Sequence, residues 1–199
     1  HMSAISAMVS ASGRNFYIFD EAPRQSILIP SEWKLVARDA FNGTPLWKRP
    51  IERWHTQLWP LKSGPQMLTR RLVAEGDRVY ATLNIDAPLT QLDAATGQTL
   101  QTYAGTQATE EILLADGVLY LVVADLDKLH SDPKRSFSSV REVINLHQEQ
   151  SWGPMPRTVM AVDAKTGAVR WRMSSPVNPM TLTVDATQVY FHDGNKIVC

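Results

Sequence analysis

The sequence predicts an all-β fold built from repeated four-stranded antiparallel units, and three observations predict it. A turn segment recurs three times, a second strand–turn–strand motif precedes each copy, and the two joined together fill the length of one four-stranded unit. The turn segment reads Ala37-Arg38-Asp39-Ala40-Phe41-Asn42-Gly43 ending at Trp47, Gln91-Leu92-Asp93-Ala94-Ala95-Thr96-Gly97 ending at Gln101, and Ala161-Val162-Asp163-Ala164-Lys165-Thr166-Gly167 ending at Trp171. Self-similarity of this kind sets the architecture before any single residue is weighed.

Each copy places an Asp, three residues and a Gly between two short strand-like runs. The Asp side chain can accept hydrogen bonds from N–H groups two or three residues on, and the Gly takes the positive φ that closes the turn without a Cβ clash. Four residues past the Gly a large residue, Trp47 or Trp171, stands on the returning strand. Its bulk suits packing between one repeat and the next, and its indole N–H needs an acceptor. The middle copy carries Gln101 there, with Leu100 and Tyr103 close by, so it should dock less well or through another residue.

The second motif is a strand, a tight turn, and a strand with Val or Leu before Tyr. It occurs at Glu75-Gly76-Asp77-Arg78-Val79-Tyr80, Ala115-Asp116-Gly117-Val118-Leu119-Tyr120 and Val184-Asp185-Ala186-Thr187-Gln188-Val189-Tyr190, with Ser12-Gly13-Arg14-Asn15-Phe16-Tyr17 as a fourth. Two strands from each motif make four per unit, roughly the 40 to 50 residues of one β-propeller blade.

With these residues in view, the chain resembles the PQQ-like (quinoprotein-type) β-propeller family. There, a repeat Ala-x-Asp-x-x-Thr-Gly-x-x-x-Trp acts as a tryptophan-docking motif that ties blades together. The copy from Ala161 to Trp171 matches every fixed position, the copy from Ala37 has Asn42 for Thr, and the copy from Gln91 lacks both the Ala and the Trp. The resemblance implies the fold and leaves the reaction open, because the family holds both dehydrogenases and non-catalytic assembly proteins. It also implies a periplasmic or otherwise extracytoplasmic location.

Blades are expected at about 5–50, 67–103 and 109–173, with a partial one at 180–199, in a single partial propeller over 1–199. Asn195-Lys196-Ile197-Val198-Cys199 reads as the third strand of a blade, with no Asp-x-x-Thr-Gly turn after it. Closed rings take roughly four to eight blades, so the expectation is an incomplete ring whose open edges invite self-association. Two insertions interrupt the repeat. The first, about 48–66, carries Trp54, His55 and Trp59, which could stack on a planar cofactor or sugar or simply cover the rim of a blade. The second, about 125–156, opens a capping-box pattern at Ser139-Val140-Arg141-Glu142. Val140, Val143, Ile144 and His147 follow at helical spacing, predicting one short amphipathic helix over 139–150, either decoration or a lid or docking element.

Composition excludes several functions. The 199 residues hold 20 basic and 20 acidic side chains, so no net charge draws the chain to nucleic acid or an anionic membrane. No apolar run nears the ~18 to 20 residues that span a bilayer. His1-Met2 reads as a cloning remnant with no signal peptide after it. The single Cys, Cys199, rules out an internal disulfide.

The chemistry of known active sites is equally sparse. His1, His55, His130, His147 and His192 show no spacing that converges on a metal, so no metal ligands are assigned. A Gly-x-Ser-x-Gly elbow, a phosphate loop and a dinucleotide glycine pattern are all missing, and no catalytic residue is assigned. Asp39, Asp93 and Asp163, like Gly43, Gly97 and Gly167, are explained by the turns. Arg70-Arg71, Lys34 and Arg38 read as solvated strand positions that could otherwise face a quinone's carboxylates.

The reading preferred is therefore a non-enzymatic scaffold, whose partner is another protein or further blades of its own parent chain, needing no cofactor of its own. Two alternatives stand beside it. One is part of a PQQ-dependent dehydrogenase oxidising an alcohol or sugar with calcium, in which Trp54, His55 and Trp59 are the weak cofactor candidates. The other is a sensor or accessory domain of a larger protein.

Overall fold

The computed structural model describes residues 5–23, 31–52, 54, 70–125 and 155–199, and the chain divides into two compact units, His1–Gly105 and Thr106–Cys199. The architecture is all-β, with antiparallel sheets in the manner of propeller blades and no helix among the described residues.

In the first unit β1 (Ile5–Ala11), β2 (Arg14–Asp20), β3 (Trp33–Asp39) and β4 (Pro45–Ile51) lie side by side in chain order. A second sheet holds β5 (Leu72–Glu75), β6 (Arg78–Thr82), β7 (Leu89–Asp93) and β8 (Thr99–Thr102) in the same up-and-down order. Alternation drives the pairing: Phe16 and Ile18 of β2 and Trp33, Leu35 and Ala37 of β3 all point inward and are buried. They join Ile51, Trp54, Leu72, Val79, Ala81, Leu92 and Ala94 in one cluster fed by both sheets. A fully buried side chain of the Leu, Ile or Phe class contributes about 1.5–3 kcal/mol to such a core.

The second unit repeats the plan. β9 (Thr109–Ala115), β10 (Val118–Ala124), β11 (Met155–Asp163) and β12 (Val169–Val177) form a four-stranded sheet, and β13 (Thr183–Val184), β14 (Val189–His192) and β15 (Ile197–Val198) a three-stranded one. Val118-Leu119-Tyr120-Leu121-Val122-Val123 is almost continuously apolar because β10, an inner strand, buries both faces. Val122, Val159 and Val177 pack with Leu182 and Phe191, joining the two sheets. Glu111, only 2% exposed, accepts the Met180 N–H through Oε1. Arg157, at 3%, pairs with Glu110 and donates to the Val177 carbonyl at 2.6 Å. Both charges are tied down by hydrogen bonds, as buried charges must be.

The tight hairpins come from left-handed dipeptides. Ser12 and Gly13 have φ of 46° and 71°, and Asp116 and Gly117 have 48° and 71°. Two successive positive φ values match the right-handed twist of the flanking strands.

Three sequence expectations need correction or placement. The first insertion starts later than residue 48, because Lys48–Ile51 complete β4 against β3. Likewise Met155 and Pro156, assigned to the second insertion, already belong to β11, where they pair with Val177 and Pro176. The helix expected over 139–150 lies outside the described residues.

Candidate functional site

The three Asp-to-Gly turns share the same backbone hydrogen bonds. Asp39 Oδ1 accepts from the Phe41 and Asn42 N–H groups at 2.9 Å each. Asp93 Oδ1 does so from Ala95 at 3.0 Å and Thr96 at 2.8 Å, and Asp163 Oδ1 from Lys165 at 3.1 Å and Thr166 at 2.9 Å. The Gly N–H returns to the Asp carbonyl at 3.0, 2.8 and 2.9 Å in the three copies. Gly43, Gly97 and Gly167 have φ of 74°, 72° and 77°, a region where a Cβ is strained.

Beyond Gly43 the hairpin returns through a bulge that sets Trp47 opposite Ala37, and in the third copy the same bulge sets Trp171 opposite Ala161. Trp47 leans on Phe16, ring centroids 5.9 Å apart, and reaches the second sheet. There its Nε1 donates to the Ala94 carbonyl at 2.9 Å. Its ring covers Gly97 so closely that a Cβ built on that glycine would lie 2.6 Å from Trp47 Cδ2. Arg49, two residues on along the same face, donates to the Gly97 carbonyl at 2.6 Å. Strand and turn are thus joined by an indole, a guanidinium and a missing side chain.

Trp171 sits differently. It leans on Tyr120, centroids 6.4 Å apart, but is 38% exposed; Met173 on the same face of β12 is 41% exposed, and Val169, across the bulge and opposite Val162, is 47% exposed. The remaining large apolar side chains at the surface fall on outer strands or turns: Leu46 in β4, Leu100 in β8, Ile5 and Met8 in β1, Ile197 in β15, and Phe41 at 90% exposure. The sequence alone did not separate the half-buried Trp47 from the open Trp171, because the two copies share the Ala, Asp, Gly and Trp positions of the hairpin.

Of the residues considered for a cofactor, Trp54 is wholly buried. Arg71 lies over its ring at 3.8 Å from the centroid and donates to its carbonyl. This overturns the reading of Arg71 as a solvated strand residue: it is 5% exposed, because a guanidinium can stack on an indole while satisfying its own donors. His55 and Trp59 lie outside the described residues. Lys34 and Lys48 both pair with Glu21, whose carboxyl is held below its ordinary range first by the Lys34 ammonium. Arg38 donates to Tyr17 Oη at 2.6 Å and to the Gly43 carbonyl at 2.7 Å. Among the described residues no group of three or more His, Cys, Asp or Glu side chains could hold a metal ion.

The turn carboxylates carry the clearest electrostatic signature. Asp163 is held well below the usual range, most strongly by Arg170 and then by the Thr166 N–H. The Thr96 hydroxyl and N–H lower Asp93. Asp185, closing the β13–β14 turn, drops from 3.8 to about 2 because the Thr187 N–H and then the Tyr190 hydroxyl donate to it. A depressed folded pKa means that the charged form is favoured in the fold. The contribution is present above the unfolded value and is lost as pH falls through the folded one. The thermal midpoint is therefore expected to drop between about pH 4 and pH 2. Asp185→Asn, which keeps an Oδ1 acceptor without the charge, should flatten part of that drop. A midpoint flat across this window would refute the turn electrostatics.

No protein-family model matches the chain, and no curated protein matches it. Among solved structures, the computationally designed Ika8 protein is similar with a TM-score of 0.55 at 16% identity, over 99% of this chain and 45% of that one. The acylaminoacyl peptidase of Pyrococcus horikoshii is similar with a TM-score of 0.54 at 10% identity, over 99% of this chain and 32% of that one. The quinohemoprotein alcohol dehydrogenase of Comamonas testosteroni gives a TM-score of 0.44 at 17% identity, over 84% of this chain and 21% of that one. The chain spans less than half the length of each. At these identities the likeness is one of fold alone, that of a β-propeller.

Proposed function

We propose that the chain is a non-enzymatic propeller module that presents blade surface to another protein. One observation carries the reading: the exposed large apolar side chains stand on outer strands and a turn, with Trp171 and Met173 side by side on one face of β12 and Val169 beyond the bulge. Apolar surface on a rigid hydrogen-bonded frame is what a protein partner covers, and aromatic anchors in such patches dominate binding energy. Of the described polar residues considered for chemistry, Lys34, Arg38 and Arg71 are bonded into the frame.

A quinone and calcium find a poor fit among the described residues. Trp54 is sealed under Arg71, Lys34 is paired with Glu21, Arg38 donates to Tyr17 and the Gly43 carbonyl, and Asp39, Asp93 and Asp163 sit in separate turns. The test is a tryptophan fluorescence titration with pyrroloquinoline quinone in the presence of calcium, paired with a dye-linked alcohol oxidation assay. Under the scaffold reading neither saturable quenching nor oxidation is expected. Saturable quenching together with turnover would replace this reading by that of a quinoprotein dehydrogenase.

A further inference from the structure

We propose that Trp171 of one copy seats on the Asp39–Gly43 turn of a second copy, so that the chain associates head to tail. The proposal deepens the scaffold reading and rests on it by naming the partner as another molecule of the same chain.

The template is the contact made inside the first unit, where Trp47 caps the Asp93–Gly97 turn. The plug is congruent. Trp171 opposes Ala161 as Trp47 opposes Ala37, each just after a bulge in its strand, and each ring leans across that alanine on an aromatic two strands away, Tyr120 of β10 or Phe16 of β2. Yet Trp171 Nε1 has no hydrogen-bond partner among the described residues, and its face is open.

The socket is congruent as well. Asp39 N–H reaches the Thr44 carbonyl at 2.9 Å as Asp93 N–H reaches Gln98 at 2.9 Å. Ala40 N–H reaches the Gly13 carbonyl at 2.9 Å as Ala94 N–H reaches Asp77 at 3.1 Å. But whereas Ala94 is buried and Gly97 is covered by Trp47, Ala40 and Gly43 are exposed, and nothing lies within 4 Å of a Cβ built on Gly43. Phe41, 90% exposed beside the turn, adds apolar surface for a partner to cover.

One difference between the two contacts is complementary. Arg49 supplies the donor for the Gly97 carbonyl, and the plug strand carries Met173 in the place of Arg49. The Gly43 carbonyl does not need that donor, since Arg38 of its own sheet already donates to it at 2.7 Å. A plug without an arginine meets a socket that has its own.

Such an interface is heterologous, with different surfaces on the two partners, and this gives a decisive test. Sedimentation or light scattering over a concentration series is expected to show self-association of the unaltered chain. Trp171→Ala, or Met173→Asp on the same face, removes the plug. Gly43→Asn fills the socket while keeping a residue that tolerates positive φ. Each variant, with its fold checked by circular dichroism, should weaken association by roughly thirtyfold or more, the scale of an interface tryptophan. Mixing Trp171→Ala with Gly43→Asn should restore a one-to-one complex, because one partner keeps the socket and the other the plug. A monomeric unaltered chain, association that survives the substitutions, or a mixture that stays monomeric overturns the proposal. Those results leave the scaffold reading standing with a different partner, whereas quinone binding with turnover removes it.

Discussion

Trp54→Ala is expected to destabilise the first unit by about 3–5 kcal/mol, the cost of emptying a fully buried aromatic site. Trp54 is 0% exposed and shares its cluster with Phe16, Trp33, Leu35, Ile51 and Leu72, which come from both sheets. Its loss opens a cavity between the sheets, where repacking would have to move two hydrogen-bonded frames at once. It also takes the ring from beneath Arg71, a desolvated cation–π contact of a kind that can contribute about 2 kcal/mol. The Arg71 donor to the residue 54 carbonyl survives the substitution, so the measured loss reports packing and stacking rather than that bond. Urea denaturation followed by far-ultraviolet circular dichroism gives the number. Trp54→Phe should recover part of it. A loss below about 1 kcal/mol would mean that this indole is not a core residue, and a stacking role toward a ligand would regain interest.

Gly97→Ala should be the most damaging of the turn substitutions. Two costs combine there. The left-handed backbone, φ of 72°, costs a residue with a Cβ about 1–2 kcal/mol. The Cβ would also stand 2.6 Å from Trp47 Cδ2, and overpacking of that kind costs typically about 1–3 kcal/mol more. Gly43→Ala carries only the first cost, since a Cβ there meets nothing within 4 Å. Comparing the two separates the strain of the turn from the seat of the indole. A double-mutant cycle of Gly97→Ala with Trp47→Ala closes the argument. With the ring gone, the alanine should cost no more than it does at residue 43. Equal losses at 43 and 97 in the unaltered background would show that Trp47 does not press on that turn.

The Gly97 seat and the Gly43 opening bear on the surface inferred above. They are the same turn, read twice in one unit, once covered and once bare. An indole on Gly97 is therefore a measurement of what an indole on Gly43 could contribute, and the Gly97 variants calibrate the association experiment.

Much of the strand architecture was legible from local chemistry. Asp39, Asp93 and Asp163 each need an N–H two or three residues on, and the glycine after them needs only the freedom to take positive φ. Both requirements are met within seven residues, and nothing distant can alter them. The Val/Leu-Tyr strands likewise announce themselves as short apolar runs that follow a tight turn. Boundaries were less legible, since Lys48–Ile51 look like a departure from the repeat until they are seen paired with β3.

The candidate surface was not legible in this way. Trp47 and Trp171 occupy identical places in their hairpins, and Gly43 and Gly97 identical places in their turns, yet one of each pair is covered and the other open. Arg71 reads as a solvated strand residue until Trp54, seventeen positions earlier, is found beneath its guanidinium. The sequence by itself determined where the chain turns and which segments form strands, because those follow from interactions only a few residues apart. Only the tertiary structure decided which indole is a core residue, which one clamps a neighbouring turn and which one faces solvent. Burial is a property of what lies on the other side of a side chain, and that neighbour comes from a distant part of the chain.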